Sequence, residues 1–157
     1  MMIFGIAVSS LMALFPVSLR QGNQAVSDSI VTTFGDAVMN AIAGKASSMQ
    51  TEKDWAKWKN ETTFKSEVVK GLTVYDGGEN LSANGNDHTI KEYLGLKDVT
   101  IKYRLEIAPV NKTKFGDGLY RAILYATDNR YAELDPANSK FAAAIFVTYM
   151  AYMGEVE

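Results

Sequence analysis

A loop rich in oxygen-bearing side chains is the part of this sequence whose residue types come nearest to a metal site. Asp76, Glu79 and Asp87 fall within a stretch that also holds several asparagines and glycines. Carboxylate and amide oxygens are the ligands that Ca²⁺ prefers in proteins. The spacing does not match the D-x-[DN]-x-[DN]-G loop of an EF-hand. Two interpretations stay open, a weak calcium site at these three carboxylates or a solvated turn region, and we favour the turn.

The residues that usually carry catalysis are scarce. The chain has one histidine and no cysteine, which excludes thiol nucleophiles, disulfide frameworks, zinc fingers and iron–sulfur clusters. His88 follows Asp87, which could orient an imidazole ring, but no G-x-S-x-G motif accompanies the pair. We therefore interpret His88 as a surface histidine. The sequence predicts a protein that is not an enzyme and that needs no cofactor.

Charge is nearly balanced overall but very unevenly distributed. Sixteen basic and eighteen acidic residues give a net charge of −2, so no basic footprint for nucleic acid exists and we expect no such partner. Residues 1–50 contain only Arg20, Asp28, Asp36 and Lys45 as charged residues. The other charged residues, and all eight tyrosines, follow later in the chain. The first third must therefore be placed in a different environment from the rest.

The run Met1–Leu19 carries no charge, and Arg20 ends it. As a helix it would be about 28 Å long, close to the roughly 30 Å hydrocarbon core of a bilayer. Pro16 is compatible with this interpretation because transmembrane helices tolerate proline. A membrane anchor is our preferred interpretation, with a cleaved signal peptide and a buried core helix as alternatives. Small residues would allow close helix approach within the membrane, chiefly Gly5, Ala7 and Ser9.

An amphipathic pattern continues directly from this run. Apolar residues recur every four positions, which is typical of a helix with one buried stripe. The sequence therefore predicts one nearly continuous helix over about residues 3–43, kinked near Pro16 and ending at Gly44. We expect a transmembrane half over residues 1–23 and a soluble domain over residues 24–157. The predicted core stripe consists of Val26, Ile30, Phe34, Val38 and Ile42.

The remainder is typical of antiparallel strands. Residues 99–107 alternate between apolar and polar without error, which predicts a strand with one solvent-facing side. Residues 119–127 form a second predicted strand and residues 72–75 a short earlier one. Residues 141–153 are rich in β-branched and aromatic residues, so we favour a strand there over a helix. The predicted fold class is α+β, with the long N-terminal helix packed on a small antiparallel sheet.

Two tryptophans lie between the long helix and the strands. Trp55 and Trp58 are three residues apart, so they share one face of a short helix, for which Thr51 to Asp54 resembles a capping box. We expect this helix to pack its indole rings on the core. A role in stacking on carbohydrate or at a membrane interface is the alternative.

This combination of elements resembles the type IV pilin-like proteins, or pseudopilins. The resemblance rests on Ile6 to Gln21, where the apolar run closes as Leu14-Phe15-Pro16-x-x-Leu19-Arg-Gln. It is nearest to the pilin-like proteins called Verru_Chthon cassette proteins, whose last strand is similar to residues 146–151 here. The resemblance covers about the first 45 residues, and it includes the sheet only by pattern.

The chain departs from the family at its beginning. Pilin-like proteins are processed before a phenylalanine, and a glutamate five residues into the mature helix pairs with a neighbouring subunit. This chain lacks that processing motif, and Met1 and Met2 stand where the residues just after that glutamate would be. We expect the motif to lie upstream of Met1, so neither family residue has a counterpart in this numbering.

The resemblance implies a structural role. It predicts a minor pilin-like subunit of a type IV pilus or of a type II secretion-like filament, whose partners are other pilin-like subunits contacted through the N-terminal helix. It also implies a single-pass protein of the bacterial inner membrane, with its soluble domain in the periplasm or on an extracellular filament. The alternative is a membrane-anchored, exported binding module that recognises a small ligand or a protein partner.

Overall fold

The computed structural model describes residues 2–50, 54–73, 80–96, 99–110 and 118–152. The side chains of residues 2–23 and of Trp55 lie outside this description. Two compact units divide the chain, residues 1–30 and residues 31–157. The predicted division into a transmembrane half over residues 1–23 and a soluble domain over residues 24–157 stays a prediction.

One helix, α1, spans Met2–Ser48 without a break. This confirms the predicted continuous helix, but α1 passes through Gly44 and ends only four residues later. A Cβ at Gly44 would meet no atom within 4 Å, so the helix has room for a side chain at that position. Across the residues that the structure describes in full, no helix is both long and apolar enough to cross a membrane.

Two short helices follow, α2 over Trp55–Lys59 and α3 over Glu61–Val69. The sequence had predicted only the first of them. Asn60 separates the two helices, and its side chain accepts a hydrogen bond from the backbone N–H of Thr63, which caps α3. Thr51, the predicted cap of the tryptophan helix, lies outside the described residues, and Asp54 makes no side-chain capping bond.

Four antiparallel strands form the sheet in the order β1-β2-β3-β4. They are β1 (Asp87–Ile90), β2 (Ile101–Pro109), β3 (Leu119–Thr127) and β4 (Ala144–Ala151). The last three confirm the strands predicted over residues 99–107, 119–127 and 141–153, with β2 displaced by two residues. Together with the helices, they confirm the α+β class.

The predicted first strand is wrong in its described part. Leu72 and Thr73 are not in a strand, and residues 74–75 lie outside the described residues. The backbone carbonyl of Leu72 only accepts a hydrogen bond from the N–H of Leu81. The true first strand, β1, is a four-residue segment with two polar or charged residues at its start, Asp87 and His88. The residues of β1 have a low preference for strand structure, and its pairing with β2 stabilises it as a strand.

The core lies between the sheet and the C-terminal part of α1. Phe34, Val38 and Ile42 are fully buried, as predicted, and so are the inward-facing residues of β2. The prediction is wrong for Val26, which is 61% exposed, and Ile30 is only half-buried. Burial along this side of α1 begins at Val31.

Candidate functional site

The contact between α1 and the sheet depends on Phe34. Its ring centroid lies 5.6 Å from that of Tyr93, edge to face, and 5.6 Å from that of Tyr103 on β2. All three side chains are buried. Such aromatic pairs add about 0.5–1.5 kcal/mol beyond the area that they remove from water. Phe34 therefore attaches the helix firmly to the centre of the sheet.

A glycine allows α1 to approach β4. A Cβ built at Gly35 would overlap the ring of Phe146, which lies against the helix backbone at that point. Gly35 is buried. The residue type at position 35 therefore controls how closely the helix and the fourth strand approach each other.

A second aromatic cluster joins the short helices to the sheet. Trp58, Phe64 and Tyr120 are fully buried, and the rings of Phe64 and Tyr120 stack with centroids 4.0 Å apart. The indole N–H of Trp58 donates to the carbonyl oxygen of Met49, and the Tyr120 hydroxyl donates to the carbonyl oxygen of Trp58. Burial, aided by the negative charge of Glu61, raises the pKa of Tyr120 to about 12. The cluster agrees with the packing role predicted for Trp58.

Asp87 is the one residue of the predicted calcium site that the structure describes, and its carboxylate is paired with two cations. Asp87 Oδ1 accepts a hydrogen bond of 2.8 Å from Arg104 Nε, and Asp87 Oδ2 lies 3.4 Å from Lys102 Nζ. Partial burial favours a higher pKa for Asp87, but Arg104 and Lys102 outweigh it and hold the pKa below its ordinary value. A calcium ion would have to displace both cations from this carboxylate.

The other predicted calcium ligands, Asp76 and Glu79, lie outside the described residues. Among the residues that the structure does describe, no three His, Cys, Asp or Glu side chains converge on a point that could hold a metal ion. The calcium site therefore stays a prediction.

His88 is more tightly held than the surface histidine that the sequence predicted. Its ring stacks on that of Tyr103 with centroids 5.3 Å apart, and its Nε2 lies 2.9 Å from Asn84 Oδ1. The side chain is half-buried. Asp87 and His88 are adjacent residues of one strand, so their side chains point to opposite faces of the sheet. Asp87 therefore does not orient the imidazole, and the pair forms no catalytic dyad.

An open cleft of about 450 Å³ lies between α3 and residues 81–84. Lys65 in its wall lies 2.5 Å from the Glu61 carboxylate, so these two charges neutralise each other. The remaining lining mixes small polar and aliphatic side chains, including Val69, Leu81 and Asn84. This arrangement selects no particular ligand chemistry.

The residues predicted to bring helices together in a membrane, Gly5, Ala7, Ser9 and Pro16, all lie within α1. Only their backbone is described, and it is helical at each position. Their packing role stays a prediction.

A surface that the sequence analysis did not single out is the outer face of β4. Ile145, Val147 and Tyr149 project from it and are 52%, 47% and 61% exposed. The signal was present in the sequence, because these residues alternate at period two within a strand that contains no charge. Alternation alone does not show which of the two faces is uncovered.

No protein-family profile, no curated protein and no solved structure matches this chain.

Proposed function

We propose that this protein is a structural, pilin-like subunit that assembles through its N-terminal helix and carries its sheet domain outward. The observation that supports this proposal is the architecture of α1. Its first nineteen residues carry no charge, its last third is buried against the sheet, and no break separates these parts. One continuous helix therefore connects the proposed assembly segment to the domain.

The physical mechanism follows from the two halves of the helix. We propose that the uncharged half is held in the bacterial inner membrane until assembly and then packs against the same half of neighbouring subunits. The buried contacts of Phe34, Val38 and Ile42 keep the domain attached while the helix is withdrawn. The domain then faces the periplasm or the outside of the filament. No bound cofactor is required, and the proposed activity is assembly.

Membrane fractionation tests the anchor. The full chain should sediment with membranes and resist carbonate extraction, whereas a truncation that starts at Gln24 should stay in the soluble fraction. Val8→Arg should block insertion, because a charge near mid-membrane costs at least about 2.5 kcal/mol. Val26→Arg is the matched control, because Val26 is exposed and lies outside the uncharged run. A full chain found as a soluble monomer would contradict both the anchor and the assembly.

Chemical cross-linking in membranes tests assembly separately from insertion. Gly5→Leu combined with Ser9→Leu makes the helix more apolar, so insertion should be kept, but bulky side chains should prevent close helix approach. We expect cross-linked multimers of the unmodified chain and a clear loss of them in this variant. Membrane-bound monomers in both cases would favour the alternative, an anchored binding module for a small ligand or protein.

A further inference from the structure

Among the described residues, no strand pairs with the outer side of β4, and this free edge of the sheet lacks the usual protection against pairing. β4 is the last strand in the sheet order, and its eight residues include neither a charged residue nor a proline. Its register with β3 is continuous, so no bulge bends it away. Natural edge strands are normally blocked by charge, proline, bulges or short length. β4 uses none of these devices, which marks it as a surface for strand pairing.

The backbone groups of β4 alternate between its neighbour and the free edge. The N–H of Tyr152 donates to the carbonyl oxygen of Gly118 at 2.7 Å, so position 152 faces β3. In an antiparallel ladder every second residue directs both backbone groups to the same neighbour. Positions 145, 147, 149 and 151 therefore direct their N–H and C=O groups away from β3. The same positions carry the exposed apolar side chains.

One end of this free edge is already occupied. The Gln50 side chain donates from Nε2 to the carbonyl oxygen of Ala151 at 2.5 Å. This acceptor is one of those that the alternation leaves free of β3. The open segment is therefore limited to Ile145, Val147 and Tyr149, an odd number of positions with Val147 at its centre.

We propose that β4 pairs in antiparallel orientation with β4 of a second copy of this chain, with the two-fold axis at Val147. In this register Val147 pairs with the partner's Val147, and Ile145 pairs with the partner's Tyr149. All six open backbone donors and acceptors on each strand then take part in hydrogen bonds. The two four-stranded sheets become one continuous eight-stranded sheet.

A second copy fits this edge for reasons of charge and shape. Neither strand contributes a charge, so self-pairing meets no like-charge repulsion. On the same face of β3, Ile123 is the register partner of Val147, whereas the exposed Arg121 is the register partner of Tyr149. Pairing therefore joins the apolar rows of the two β4 strands, with the arginine one strand away from the junction.

The opposite edge of the sheet fits much less well. β1 has only four residues, and its Asp87 carboxylate is exposed beside two cations. Lys91 and Glu92 follow it immediately and are also exposed. A charged, short edge of this kind resists pairing. The asymmetry between the two edges favours closed dimers joined at β4 over chains of sheets.

Single cysteines test the proposed register, because the chain has no cysteine of its own. Val147→Cys places two thiols on directly opposed residues, whose Cα atoms lie about 5.5 Å apart in such a pair. Ile145→Cys places them four residues apart along the strands, an offset of about 13 Å. A bismaleimide with a reach of about 8 Å, less than two strand spacings, should therefore link the first variant and not the second.

The experiment uses the full chain in a mild non-ionic detergent, in the Gly5→Leu/Ser9→Leu background so that helix assembly does not contribute. We expect Val147→Cys to give cross-linked dimers at least about tenfold above Ile145→Cys, because the offset exceeds the reach of the reagent. Tyr131→Cys, 77% exposed and outside β4, is the control for random collision. Equal linking of Val147→Cys and either of the other variants would overturn the proposal.

A charge at the centre of the edge provides the second measurement. Val147→Lys should leave the circular dichroism spectrum unchanged, since Val147 is about half exposed, and should shift the sedimenting species from dimer to monomer. Tyr131→Lys should leave the dimer intact. A Val147→Lys chain that stays dimeric across a concentration range of about a hundredfold would overturn the proposal, because mass action must dissociate a weakened pair.

Discussion

Gly35 of α1 lies directly against the ring of Phe146 of β4, so closely that no Cβ fits between them. Gly35 is therefore present for contact and not for backbone freedom, since it stands within a regular helix. A second glycine of the same helix, Gly44, has no atom within 4 Å of its Cβ position. The two glycines form a matched pair for experiment.

Gly35→Ala should destabilise the domain, whereas Gly44→Ala should stabilise it. Alanine is about 0.5–1 kcal/mol better than glycine within a helix, and at Gly44 nothing opposes this gain. At Gly35 the methyl group must displace the Phe146 ring, which costs about 1–3 kcal/mol. Urea unfolding followed by circular dichroism measures both. When Phe146 is replaced by leucine, Gly35→Ala should lose most of its destabilising effect. An unchanged loss of stability in that background would contradict the contact between Gly35 and the Phe146 ring.

Phe34→Ala should be among the most destabilising single changes in the domain. The side chain is fully buried and contacts two other rings, so its truncation should lower the free energy of unfolding by about 3–5 kcal/mol. Val26→Ala is the control on the same helix, and its effect should stay within about 0.5 kcal/mol because Val26 is mostly exposed. Similar losses at both positions would show that the buried stripe extends to Val26 after all.

Alkaline pH should weaken the aromatic cluster through Tyr120. Its folded-state pKa of about 12 lies above the ordinary value of about 10, so the neutral hydroxyl stabilises the folded state. That stabilisation is fully present below about pH 10 and is lost as the pH rises towards 12. Tyr120→Phe should be less stable than the unmodified chain at pH 8, by about 0.5–1.5 kcal/mol for the lost hydrogen bond to Trp58.

The quantity to follow is the difference in the free energy of unfolding between the unmodified chain and Tyr120→Phe. The stability advantage of the unmodified chain over Tyr120→Phe should fall steadily in urea unfolding from pH 8 to 11.5, because only the unmodified chain loses the contribution of Tyr120. Tyr93 and Tyr125, whose pKa values burial also raises, are present in both chains and cancel in the comparison. A difference that does not change with pH would show that Tyr120 does not titrate in this way.

Acid should weaken the attachment of β1. Arg104 and Lys102 hold the pKa of Asp87 below its ordinary value, so its carboxylate stabilises the folded state above the unfolded-state pKa of about 4. This contribution is lost as the pH falls through the lower, folded-state pKa. Asp87→Asn should be less stable than the unmodified chain at pH 6, and their urea midpoints should converge below about pH 3. High salt should shrink the difference at pH 6, since the pair is partly exposed.

Much of the architecture could be predicted from periodicity alone. The strict alternation of residues 101–107 identified a strand with one buried face, and the structure buries its odd-numbered residues. The four-residue spacing of Phe34, Val38 and Ile42 identified the buried side of α1 in the same way. In both cases a regular backbone places side chains at fixed angles, so the pattern depends only on local geometry.

Other features required the tertiary structure because they depend on what lies across from a residue. The same periodicity that marked Phe34 also marked Val26, yet Phe34 is fully buried and Val26 is 61% exposed. β1 is a strand because β2 offers it a ladder, and Asp87 has a depressed pKa because β2 places Arg104 opposite it. Sequence by itself determined which residues share a face, since that is a property of the backbone. Which of these faces are buried depends on the tertiary structure, because the residues that pack on them are distant in sequence.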